Sequence, residues 1–196
     1  VPSKIQMSDF WQDSYQWSHF GFNKAFDSEQ VKEINQFLDD NSVAYDKGAN
    51  PDYKKISTIK HIQFKKIKHL IEPFISKAVG IAERGFGYNV YYPHDDWGLN
   101  YNIYDSESND SYDWHTDYSN RATFDTKLTL LINLSEEPYE GGKFELKTSN
   151  QPTSVPEYSN SGSALMFKSH ILHRVTPVTS GIRKSLTLFI IGPKFQ

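Results

Sequence analysis

No cysteine occurs among the 196 residues, which excludes disulfides, thiolate metal sites and a cysteine nucleophile. No apolar run approaches the roughly 18 residues that a membrane-spanning helix needs. There is no surplus of positive charge: 21 Lys and Arg face 24 Asp and Glu, a net charge of −3. That balance speaks against nucleic acid as a partner. The opening VPSKIQMSDF has neither an initiator Met nor a signal-peptide pattern. Val1-Pro2-Ser3 reads as a cloning remnant or a trimmed end. With no membrane segment and no cysteine, the expected location is cytoplasmic.

What is present is a globular composition, with 15% aromatic residues, including 12 Tyr and 13 Phe, and 23% charged residues. The length suits a single domain over 1–196 that buries its own core. Residues 1–85 read as a mainly helical N-terminal support. In "FDSEQVKEINQFLDD", Asp27 or Ser28 is the N-cap, and Val31, Ile34, Phe37 and Leu38 form one stripe. A polar loop follows at 45–55. A second helical pattern, "FKKIKHLIEPFISKAVGIAERG", is interrupted at Pro73, which suits the first turn of a new helix better than an interior. Residues 86–194 then change texture. "FGYNVYY", "LNYNIY", "KLTLLINLS", "GKFELK", "SALMFK", "ILHRVTPV" and "RKSLTLFII" read as short strands separated by turn residues. Such a run folds as an antiparallel barrel or jelly roll with the helices layered on it.

The chemistry concentrates in "YDWHTDY". His115 and Asp117 are two apart at the end of an expected strand, where alternate side chains share a face and can reach one ion. In a chain with 7 His, chance supplies such a pair, and His94 and Asp96 form a second one. That second pair follows a proline and precedes Trp-Gly, the pattern of a surface turn. "SHILHRVTPVTSGIRKSLTLF" adds His173 as a third ligand and Arg183 as a cation. Two histidines and a carboxylate on one side of an ion make the facial triad of non-haem Fe(II) oxygenases. Arg183, Ser185 and Thr187 alternate along one strand face, a guanidinium and two hydroxyls suited to a carboxylate. Phe144, Val175 and Phe189 are candidates for a dry wall, and Trp97, Trp114 and Tyr118 for aromatic substrate contacts.

Together these stretches resemble the iron- and 2-oxoglutarate-dependent dioxygenases, and within them the prolyl-4-hydroxylase-like branch of PKHD type. The resemblance covers residues 86–194 and rests on "YNIYDSESNDSYDWHTD", "DTKLTLLINLSEEPYEGGKFEL", "SALMFKSHILHRVTPVTSGIRKSLTLFI" and "GPKF". It implies an α+β fold: a double-stranded β-helix, or jelly-roll barrel, with an N-terminal helical layer packed on it. It implies that His115, Asp117 and His173 bind Fe(II), and that Arg183 pairs with the far carboxylate of 2-oxoglutarate. Thr187, Ser185, Tyr104, Tyr112 and Asn133 are the further cosubstrate contacts it suggests, Asn133 standing where prolyl hydroxylases often carry Tyr. His173, rather than His170, matches the ligand by its spacing to Arg183. Gly141-Gly142 matches a glycine turn of the family. O2 is the second cosubstrate and ascorbate a candidate accessory. Halogenating relatives lack the carboxylate ligand, so Asp117 implies hydroxylation, with succinate and CO2 released. The implied substrate is a prolyl or other peptidyl residue in a peptide or protein. The alternatives are a nucleic-acid demethylase, a small-molecule hydroxylase, or a non-catalytic β-barrel that binds metal or ligand. The oligomeric state is left open.

Overall fold

A computed structural model of the protein describes residues 17–44, 55–119 and 121–195. The expectations for the first residues and for most of the 45–55 loop fall outside these. Helix α1 (Ser28–Asn41) starts where Asp27 accepts hydrogen bonds from the backbone N–H groups of Glu29 and Gln30, while the Gln30 side chain accepts from Asp27 N–H. This reciprocal cap satisfies donors that a helix N-terminus leaves free. Its buried face is Val31, Ile34, Asn35 and Leu38.

Helix α2 (Phe64–Phe86) is continuous, with Pro73 inside it. The expected new helix at Pro73 does not occur. An interior proline forfeits a hydrogen bond and costs about 3 kcal/mol. Ile67, Ile71, Phe74, Ile75, Ala78 and Ala82 line one buried stripe on both sides of it. Burying each large apolar side chain contributes about 1.5–3 kcal/mol, so the stripe outweighs the break. Gly87, with φ at 66°, ends the helix in the left-handed region.

The strands form two main sheets. The larger has the order β1-β11-β7-β14-β5-β4-β2, comprising β1 (His19–Phe22), β2 (Val43–Ala44), β4 (Thr58–Gln63), β5 (Gly98–Asp105), β7 (Asp125–Asn133), β11 (Ala164–Lys168) and β14 (Ile182–Gly192). The smaller has the order β10-β9-β12-β6-β3, comprising β3 (Lys55–Ile56), β6 (Ser111–His115), β9 (Phe144–Leu146), β10 (Thr153–Ser154) and β12 (His173–Val175). A separate two-stranded sheet pairs β8 (Glu140–Gly141) with β13 (Val178–Ser180). Every strand pairing among the described residues is antiparallel. The result is a jelly-roll double-stranded β-helix with helices on one outer face.

Strand alternation decides what each face does. Leu186, Leu188 and Ile190 of β14 join Leu130 and Ile132 of β7 and the helix stripes in one core. Arg183, Ser185 and Thr187 of β14 face the other way, toward the smaller sheet. There a second apolar cluster, including Leu131, Leu165, Phe167, Phe144 and Val175, seals the space between the sheets.

Three strand expectations change. Residues 1–85 are more than a helical support, because β1 and β4 extend the larger sheet. "FGYNVYY" forms no strand beyond the helix end at Phe86. Phe86 and Val90 are buried and Tyr91 and Tyr92 exposed, but the segment after Phe86 joins no strand of the described sheets. "ILHRVTPV" splits into β12 and β13 around Thr176-Pro177, where proline has no N–H to give a ladder.

Candidate metal centre and its cavity

His173 of β12 lies directly opposite His115 of β6 in the antiparallel register. Beyond the end of β6, Asp117 N–H donates to Ser169 O at 2.9 Å, tying the loop after β6 to the loop after β11. These links bring residues 56 apart in sequence together. His173 Nε2 lies 3.2 Å from Asp117 Oδ2, and His115 Nε2 lies 3.6 Å from Asp117 Oδ1. The three possible ligand atoms lie within 4.8 Å of one another, the one such group among the described residues. Two donors about 2.1 Å from one ion and at right angles lie about 3 Å apart, so the spacing suits a shared ion.

The ring orientations suit it too. His115 Nδ1 meets Asp113 O at 2.7 Å and His173 Nδ1 meets Ile171 O at 2.9 Å. A carbonyl can only accept, so each Nδ1 carries a proton, which leaves Nε2, facing Asp117, as the nitrogen available to a metal. Burial, followed by the neighbouring His173, pushes the His115 pKa down to about 4, which keeps the ring neutral for ligation. Burial would raise the Asp117 pKa, but the hydrogen bond and charge that His173 offers once protonated, the charge of a protonated His115 and a hydrogen bond from Thr129 outweigh it and hold it below the usual carboxylate value. Thr129 Oγ1 donates to Asp117 Oδ2 at 2.9 Å and sits 3.0 Å from Ser169 Oγ. The Tyr112 ring stacks on His115, centroids 3.4 Å apart.

The triad opens into a cavity of about 250 Å³ between the sheets. Arg183, Ser185, Thr187, Tyr104 and Tyr112 line it, with Phe144, Val175, Leu131 and Phe189 as its apolar wall. Arg183 is 2% exposed, its guanidinium carbon 5.1 Å from the Tyr104 ring centroid and 5.5 Å from that of Tyr158. Burial works against the charge, but the oxygens of Tyr158, Tyr139 and Tyr104 more than offset it and raise the Arg183 pKa. A guanidinium is in any case charged at every physiological pH. Gly142 is required here: at φ 53°, a Cβ would stand 3.0 Å from Arg183 Cδ and 2.9 Å from Val178 Cγ2.

Several cavity residues went unnoticed in the sequence, Lys55, His61 and Asn102 among them. Lys55 Nζ donates to Asn102 Oδ1 at 2.5 Å, and Asn102 Nδ2 donates to Thr187 Oγ1 at 3.0 Å. The order of donors has a consequence. Lys55 only donates, so it turns the Asn102 amide to present Nδ2 to Thr187, leaving the Thr187 proton available to an acceptor in the cavity. No local signal marks Lys55 or Asn102, because the relay crosses two sheets and three strands.

Asn133 does not line this cavity. Its Nδ2 donates to Tyr158 O at 2.9 Å and Ser159 O at 3.0 Å, and its Oδ1 accepts from Ser135 N–H. All its bonding is spent on holding a turn, which corrects its candidacy as a cosubstrate contact. His94 and Asp96 are exposed on a turn, and Asp96 pairs with Lys65 at 2.6 Å. His170 is exposed, away from the triad. Trp97 is committed to Phe189 O at 3.0 Å, Trp114 packs 4.7 Å from the Arg174 guanidinium, and Tyr118 is exposed.

A jelly roll with a two-histidine, one-carboxylate cluster facing a buried arginine defines a class. Residues 99–191 match the family model of the 2OG-Fe(II) oxygenase superfamily. Within it, the chain is similar to a PKHD-type hydroxylase of Shewanella oneidensis, 34% identical over 89 residues. That alignment covers 43% of this chain and 39% of the relative, so the chain spans about two fifths of the curated relative it matches. The fold is similar to that of a Pseudomonas putida prolyl-4-hydroxylase (TM-score 0.65, 16% identity, covering 90% of this chain and 94% of that one). It is also similar to the non-heme alpha ketoglutarate dependent carbocyclase SnoK from nogalamycin biosynthesis (TM-score 0.62, 11% identity, covering 96% and 85%). No helix of the described residues is long and apolar enough to cross a membrane.

Proposed function

We propose that this chain is a hydroxylase that uses Fe(II), 2-oxoglutarate and O2 to insert one oxygen atom into an organic substrate. The other oxygen atom ends in succinate, formed as 2-oxoglutarate loses CO2. The observation that carries this reading is the convergence of His115, Asp117 and His173 in one cavity with the buried Arg183. Two neutral imidazoles and a carboxylate fit a ferrous ion and leave positions open, as a catalytic rather than a closed structural site does. When bound, the iron supplies the redox chemistry of oxygen activation.

The remaining work belongs to the chain's own side chains. Asp113 and Ile171 carbonyls hold the imidazoles, and Thr129 holds Asp117, so the donor atoms are oriented before any ion arrives. Arg183 offers a planar, charged fork to the far carboxylate of a diacid, with Ser185 and the proton of Thr187 beside it. Anchoring the far end fixes the near end, and orientation of this kind accounts for much of what an active site contributes. Phe144, Val175 and Phe189 keep water from the reacting atoms.

For the substrate, the relatives named as prolyl hydroxylases favour a peptidyl proline, a warrant by analogy. The test is succinate release, with ascorbate present, across prolyl peptides, free amino acids and methylated oligonucleotides. Coupled turnover with a prolyl peptide is the expected result. Absence of turnover with every compound, coupled or uncoupled, would favour a non-catalytic binding barrel.

A further inference from the structure

A second cavity, of about 640 Å³, lies apart from the one that holds the triad, and Phe144 is the one lining residue the two share. That volume falls within the roughly 300–1,000 Å³ of ligand sites. Its floor is apolar: Phe144, Val155 and Tyr158, all buried. One wall is the segment 135–143. The other is the segment 154–161, which begins with Ser154 of β10. β10 is the last strand of the smaller sheet and pairs with β9 alone. Val155 N–H donates to Phe144 O at 3.1 Å. Backbone groups alternate along an antiparallel pair, so Ser154 turns its N–H and C=O away from β9, to the side where no strand follows. Such an edge is a template for another extended chain. The rim is acidic. Glu136, Glu137 and Glu140 line the cavity against a single basic side chain, Lys143. Glu136 is taken up by Lys184 at 3.3 Å and Asn35 at 2.9 Å. Glu137 and Glu140 are exposed and join no ion pair among the described residues.

We propose that this cavity docks an extended peptide segment in which apolar and basic residues alternate, adding a strand to the open edge of β10. Successive side chains of a strand point to opposite faces. One set then lies on the floor of Phe144 and Val155, and the other, Lys or Arg, meets Glu137 and Glu140. Backbone pairing supplies the attachment, and the glutamates select for positive charge. The site is separate from the triad, so its occupation requires neither iron nor 2-oxoglutarate.

The test is fluorescence anisotropy of short labelled peptides with the full chain: alternating Val and Lys, alternating Val and Glu, and the Val/Lys peptide methylated on the backbone nitrogens of either its valines or its lysines. The Val/Lys peptide should bind and the Val/Glu peptide should not. Adding a strand at one edge uses the N–H groups of alternate residues only. One methylated peptide should therefore lose binding and the other keep it. Glu137→Gln with Glu140→Gln should weaken the Val/Lys peptide about three- to tenfold, the scale of two exposed ion pairs. Fe(II) and 2-oxoglutarate should leave its affinity unchanged. Equal binding of the Val/Lys and Val/Glu peptides, the same response to both methylations, no effect of the glutamate substitutions, or displacement by 2-oxoglutarate overturns the proposal. So does binding of neither peptide together with self-association that the glutamate substitutions abolish, which would make a second copy of this chain the occupant.

Discussion

His94 and His115 each precede an aspartate by two residues, and the two pairs have opposite fates. Around His94 the chain turns, both side chains are exposed, and Asp96 satisfies itself with Lys65 at 2.6 Å. Around His115 the chain ends a strand whose register places His173 directly across, and each imidazole is pinned through Nδ1 by a backbone carbonyl. The lesson is that two-residue spacing supplies a metal site only when a neighbouring strand delivers the third ligand and the backbone sets the tautomers. Substitutions at matched positions can break that contrast.

The largest effect should come from His115→Ala. With 2-oxoglutarate and anaerobic Fe(II), the wild type should give a weak metal-to-ligand absorption band. His115→Ala should abolish the band and His94→Ala should preserve it, while equal loss from both would erase the contrast. Next, Arg183→Ala should raise the 2-oxoglutarate concentration for half-maximal turnover by about a hundredfold or more, since a buried charge pair is lost. Metal content should stay near wild type, and a parallel loss of iron would show that Arg183 supports the fold instead. Thr129→Val removes a hydrogen bond to Asp117 while keeping the shape. It should weaken Fe(II) affinity about tenfold, the lower end for a partner of a ligand, with no counterpart at Asp96.

A pH titration should have a smaller effect near neutrality. The His115 pKa is depressed to about 4, so its ligating form is present above that value and lost as pH falls through it. Iron affinity should therefore change little on account of His115 between about pH 7.5 and 6.5, where an ordinary imidazole begins to take up a proton. In the unfolded chain that imidazole protonates near 6.5. The ligand-free fold should thus lose stability as pH drops from about 6.5 toward 4. The smallest effect belongs to Asp96→Asn. Its pair with Lys65 is exposed, so the melting temperature should be unchanged within error.

Much of this was legible because strand alternation and ligand chemistry are local. "RKSLTLFII" separates Arg183, Ser185 and Thr187 from Leu186, Leu188 and Ile190 by alternation alone, and the two sets do face a cavity and a core. His115, Asp117 and His173 could be grouped because only a few residue types bind metal. What was not legible depends on which distant segments meet. Lys55 and Asn102 gain meaning only when β3 and β5 approach β14. Pro73 misled for a related reason: local propensity marks a break, and the packing of the whole α2 stripe overrides it.

The most direct test of the central claim is an anomalous-scattering map at the iron edge from crystals grown anaerobically with Fe(II). One peak bonded to His115 Nε2, Asp117 and His173 Nε2, on the Arg183 side of the smaller sheet, is the expected result. Iron bound elsewhere, or no iron with the 115 and 173 rings turned apart, would contradict it.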